Sequence, residues 1–63
     1  MPVSGKQVIR RLLAQGWQRK GQQGSHVKMI KGDTIVVVPV HGNKDLGKGL
    51  LKAIEKQSGV KLR

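Results

Sequence analysis

The stretch HVKMIKGDTIVVV, residues 26 to 38, constrains the fold more than any other part of the chain. Two runs rich in β-branched residues flank Gly32 and Asp33, a pair suited to a two-residue hairpin turn. With that turn Met29 lies opposite Val36, Val27 opposite Val38, and His26 opposite Pro39. Successive side chains along a strand alternate between faces, so Val27, Met29, Val36 and Val38 make one wholly apolar set. His26, Lys28, Ile30, Ile35 and Val37 fall on the other side. An apolar sheet face must be covered, and the cover has to come from the segments before and after it.

Those segments carry helical patterns. In VSGKQVIRRLLAQGW, Ser4 and Gln7 have the spacing of a capping box, and Val3 can staple to Val8. Val8, Ile9, Leu12 and Leu13 make an apolar stripe, leaving Lys6, Arg10 and Arg11 towards solvent until Gly16 ends the helix. A second helix is predicted from Gly49 to Ser58, with Leu50, Leu51 and Ile54 buried and Gly59 as its stop. Between them the period is two: a short strand from Trp17 to Lys20, a flexible GQQG turn at 21 to 24, a strand from Ser25 to Lys31, and a strand from Thr34 to Val38 ended by Pro39. A four-residue loop would put Trp17 on the open face and a three-residue loop in the core; the core is expected, because one indole supplies so much apolar area. The expected class is α+β, an antiparallel meander of three strands with both helices on one face. No linker or repeat interrupts residues 1–63, which read as a single domain.

A 63-residue domain buries only about 60% of the surface its unfolded chain exposes, so this core must be thin. The chain has no cysteine to reinforce it, and a reducing compartment such as the cytoplasm is permitted. Thirteen Lys and Arg against three acids give a formal charge of +10, a self-repulsion that a polyanion or an acidic partner would relieve. Nucleic acid is the first candidate. No apolar run approaches the roughly 18 residues of a membrane span, and no signal-peptide pattern opens the chain.

The open face gathers chemistry around His26. Lys28 projects beside it, Arg19 and Lys20 are expected nearby, and the GSH run places Gly24 and Ser25 immediately before it. Ile30, Ile35 and Val37 on the same face suggest a surface for a protein partner. With Trp17 in the core, the face has no pair of aromatics with which to stack bases, as RNA-recognition modules do.

The residues resemble the HicA family of small bacterial and phage toxins across almost the whole chain. The resemblance rests on SGKQVIRRL followed by the Gly16-Trp17 pair, on GSH at 24 to 26, on VPVHGNKDL at 38 to 46, and on a last helix ending in QSG at 57 to 59. It implies a double-stranded-RNA-binding-domain-like α-β-β-β-α fold and an endonuclease acting on messenger RNA, the toxin of a type II toxin-antitoxin pair. It also implies a neutralising, usually acidic HicB antitoxin covering the active site, and it makes His26 the catalytic histidine. Family members commonly open the second helix with Lys-Pro-Gly-Thr, where this chain has Gly47, Lys48, Gly49 and Leu50, without the proline and the hydroxyl that define such a start.

RNA carries its own nucleophile, the 2′-hydroxyl, so cleavage needs a base for its proton, a donor for the leaving 5′-oxygen, and positive charge at phosphorus. His26 is the expected base; Lys28 and the backbone N–H groups around Gly24 and Ser25 are candidates for the charge, and Arg19 and Lys20 for binding RNA. His41, in the loop after the third strand, is a possible acid. No cofactor or metal is expected, since Asp33, Asp45 and Glu55 fall in a turn, a loop and a helix, and the glycines of 42 to 49 lack the spacing of a phosphate-binding P-loop. Two other classes fit the charge: a double-stranded-RNA-binding module that never cuts, and a basic protein that only holds an acidic partner.

Overall fold

A computed structural model describes residues 3–42 and 44–62; Met1, Pro2, Arg63 and Asn43 of the loop expected at 40 to 49 lie outside the described residues. The order is helix α1 (Gly5–Ala14), strands β1 (Gln18–Gln23), β2 (His26–Lys31) and β3 (Thr34–Pro39), then helix α2 (Lys48–Ser58). The strands form one antiparallel sheet in the order β1-β2-β3. This is the α+β, double-stranded-RNA-binding-domain-like arrangement expected from the sequence.

Helix α1 begins as its capping residues dictate. The Ser4 hydroxyl accepts from the Gln7 N–H at 3.3 Å, and the Gln7 side chain accepts from the Ser4 N–H at 2.9 Å. Val8, Ile9 and Leu12 are buried against the sheet, whereas Leu13 is 51% exposed. The apolar stripe is therefore narrower than the sequence pattern, because a helix lying over so small a sheet can bury only part of its circumference. Leu50 departs from expectation in the same way: it lies in the first turn of α2 at 39% exposed, and Leu51 and Ile54 alone carry that helix into the core. Gly47 caps α2 without a side-chain bond, and Gly59 ends it in the left-handed conformation at φ 73°.

Strands β2 and β3 pair in the expected register, with His26 opposite Pro39, Val27 opposite Val38 and Met29 opposite Val36. The four apolar partners are all buried with both helices' stripes. β1 differs from expectation: it runs on to Gln23, and the connection to β2 is a two-residue turn of Gly24 and Ser25 rather than GQQG. Both hairpins have Gly at positive φ in the first turn position, at Gly24 and Gly32, and among the described residues no non-glycine has positive φ, the sign pattern of a II′ turn.

Between Arg19 and Gly21 the register shifts by one residue, at Lys20. A single extra residue turns every side chain before it to the other face. Gln22 is opposite Val27 on the helix side of the sheet, and Arg19 is opposite Met29 on that same side. Without the shift Arg19 would face solvent beside Ile30, and Trp17 would follow it out. With the shift Trp17 is 3% exposed and part of the core, as expected, though by way of a bulge rather than a three-residue loop.

The segment after α2 returns to the core. Leu62 is completely buried; its N–H donates to Glu55 Oε2 and its carbonyl accepts from an Arg11 guanidinium nitrogen, both at 2.8 Å. The tail thus ties α2 to α1 beneath the sheet. Leu62→Ala is expected to cost about 2–5 kcal/mol, measured as a lowered urea midpoint. At the start of α1 a Cβ on Gly5 would overlap the Pro39 carbonyl oxygen, held in β3, and press on Val40, held by its bond to the Ser25 carbonyl. Gly5→Ala is expected to cost about 1–3 kcal/mol by overpacking, read in the same denaturation experiment.

Candidate active site

The hairpin of β1 and β2 positions His26 as the first residue of its strand, immediately after the Gly24-Ser25 turn. Its neighbours across the strands are Gln23 on β1 and Pro39 on β3, and its side chain is exposed. This is the face away from the helices, as the register predicts. Lys28, two residues on, is exposed on that face between Gly21 and Val37. Ile35 and Val37, 47% and 42% exposed, continue the face with half-buried Ile30 into an apolar field beside the two polar groups.

The turn before His26 is held from both sides. Gln22 Nε2 donates to the Gly24 carbonyl at 2.9 Å, and the Val40 N–H donates to the Ser25 carbonyl at 2.6 Å. Gly24 has φ +58°, and a Cβ there would meet nothing within 4 Å, so glycine serves the bend of the chain and not a close approach within the protein. Because Val40 is fastened to Ser25, His41 follows directly at the same end of the sheet as His26; it is exposed and its carbonyl accepts from the Lys44 N–H at 3.1 Å. The loop beyond is anchored to the start of α1 by the Leu46 N–H donating to the Val3 carbonyl at 2.8 Å and by the bridge of Asp45 with Ser4.

Of the cations expected around His26, the structure brings two together and separates the third. Lys20 and Lys28 line one depression with Gly21, Gln22 and Gln23 along the β1 side of the open face. Arg19 is on the other side of the sheet, in a cleft with Lys6, because the bulge reverses its direction. Its expected place on the open face is thereby corrected. Gln23, the cross-strand neighbour of His26, was missed in the sequence because GQQG reads as a turn; its only signal was the alternative Gly-Ser pair immediately after it. Among the described residues no group of three or more His, Asp and Glu is placed to hold a metal ion. Asp33 is in the β2–β3 turn, Asp45 lies in the backbone bridge to Ser4, and Glu55 holds the backbone of Leu62. No helix among the described residues is long and apolar enough to cross a membrane.

The arrangement is a solvent-open imidazole on a rigid strand, flanked by an ammonium and a fixed glycine turn, on a surface rich in positive charge. Comparison with known proteins points the same way. The chain is 44% identical over 50 residues to a curated protein named "Probable mRNA interferase HicA" from Pseudomonas fluorescens (strain Pf0-1), the match covering 79% of this chain and 83% of that protein. No solved structure matches it significantly. Residues 5–60 match the family described as HicA toxin of bacterial toxin-antitoxin, a span from the first residue of α1 to just beyond α2. On the match across residues 5–60 and the identity to this relative, the chain belongs to the HicA toxin family.

Proposed function

We propose that this protein is the toxin of a type II toxin-antitoxin pair, an endoribonuclease that cuts messenger RNA in the cytoplasm, with residues 1–63 as one HicA-like domain. The observation that carries this reading is the exposed His26 at the start of β2, beside Lys28 and behind a braced turn. His26 takes the proton of a ribose 2′-hydroxyl. The 2′-oxygen then forms its bond to phosphorus as the bond to the 5′-oxygen breaks, and the leaving oxygen is protonated. The products are a 2′,3′-cyclic phosphate and a free 5′-hydroxyl. Lys28 and the turn at Gly24 and Ser25 stabilise the charge that builds on the non-bridging oxygens, and Lys20 holds the strand nearby.

His41, delivered to the same end of the sheet by the Val40–Ser25 bond, is the proposed donor to the 5′-oxygen. The antitoxin is an acidic HicB-type protein. The apolar field of Ile30, Ile35 and Val37 next to His26 supports docking there, and the surrounding cations favour an acidic partner, so one occupant would hide the base and displace RNA.

Purified protein mixed with end-labelled RNA is expected to generate discrete new 5′-hydroxyl ends, and His26→Ala to lower the rate at least a hundredfold, within the range of general acid–base catalysis. A comparable loss in His41→Gln is expected for an acid and base pair. RNA that shifts in a gel but stays intact would identify a non-catalytic double-stranded-RNA-binding module instead. Cleavage is expected to be unchanged by EDTA, since the carboxylates stand apart; loss of activity restored by Mg²⁺ would overturn the mechanism.

A further inference from the structure

The bulge at Lys20 places two basic depressions on opposite sides of one edge strand. On the open face, Lys20 and Lys28 flank a depression that reaches Gln23, the cross-strand neighbour of His26. On the helix side, Lys6 of α1, Arg19 and Gln22 rim a second cleft of about 270 Å³ whose floor is Ile9, Val27 and Val40. Gln22 lines both. Neither lining contains an acidic residue. The ridge between them is low, because Gly21 has no side chain and even an added Cβ would meet nothing within 4 Å.

We infer that the helix-side cleft is a second RNA subsite, holding a nucleotide that flanks the cleaved bond, and that the strand reaches it by crossing the edge of the sheet over Gly21 and Gln22. The inference rests on the ribonuclease reading of His26 and extends it. A cleft just below the roughly 300–1,000 Å³ that takes a drug-sized ligand suits a single base. An apolar floor accepts the face of that base, while two cations at the rim accept a phosphate. The pairing of an apolar floor with a cationic rim repeats the make-up of a nucleotide. The shared wall at Gln22 favours a polymer of phosphates over an isolated anion, since only a chain can occupy both depressions while its reacting phosphate stays at His26.

The test uses a single-stranded oligonucleotide with 2′-O-methyl riboses throughout, which binds but lacks the attacking hydroxyl, titrated at several salt concentrations. Each lost phosphate contact on a single strand reduces the slope of log K against log salt by about 0.7. Lys6→Gln and Arg19→Gln are each expected to flatten the slope by that amount and weaken binding several-fold, and Arg19→Lys to keep the slope. Lys52→Gln, an exposed residue of α2 that lines neither depression, is expected to leave it unchanged. Wild-type slopes in the Lys6 and Arg19 variants, or an equal loss at Lys52, would overturn the subsite. So would weakened binding of an acidic peptide with RNA slopes intact, which would make the cleft a protein site. Cleavage of unmodified RNA by the wild-type protein is measured alongside: its absence defeats the nuclease reading, whereas cleavage with unaltered slopes defeats the subsite alone.

Discussion

A sheet with helices on one side divides its residues by parity, and in this protein one extra residue at Lys20 decides which chemistry lies on which side. Before the bulge, odd positions turn towards the helices; after it, even ones do. Trp17 is thereby brought into the core, which with so few large side chains can ill spare its indole. The same reversal carries Arg19 beneath the sheet and leaves Lys20 beside Lys28. A bulge next to a functional site is a common way to aim a side chain that regular pairing would misdirect. Here it serves stability and the site together, because the register that buries the indole also divides the cations between two faces.

Thin cores need close contacts, and two of them involve Gly5 at the start of α1 and Leu62 beyond α2. Gly5 lets α1 lie against the Pro39 carbonyl, which fixes the helix over the end of β3 where His26 and Pro39 pair. Leu62, beyond α2, fills the core, and its backbone is held by side chains of both helices. Packing of this kind is consistent with a protein that has no disulfide, and it gives the exposed strand residues a rigid support. The acids are placed in keeping with this: Glu55 holds the tail, Asp45 lies where the backbone bridges to Ser4, and Asp33 is in the β2–β3 turn, so none of them lines the basic depression beside His26.

Much of this was legible in advance where short-range rules decide the outcome. Ser4 and Gln7 cap α1 because the capping box is local, and Gly32 and Asp33 set the β2–β3 register because a two-residue turn leaves no freedom. From that register alone His26 and Lys28 share the solvent face. What the residues did not reveal was the first hairpin. GQQG and GS are both credible turns, and choosing between them depends on whether β1 gains partners by running on to Gln23, a long-range matter. Leu13 and Leu50 were misassigned for a related reason, since periodicity marks which residues are able to face a core but not how wide the core is.

By itself, then, the amino-acid order determined the cap of α1 and the stop of α2, the central hairpin, the apolar face and the exposure of His26, all consequences of steric and periodic rules acting over a few residues. Only the tertiary structure decided the bulge at Lys20, the side of the sheet on which Arg19 lies, the joining of His41 to the His26 end through Val40, and the burial of Leu62. Each of these depends on surfaces contributed by segments distant in the chain, and their free energy exists only once those surfaces have met.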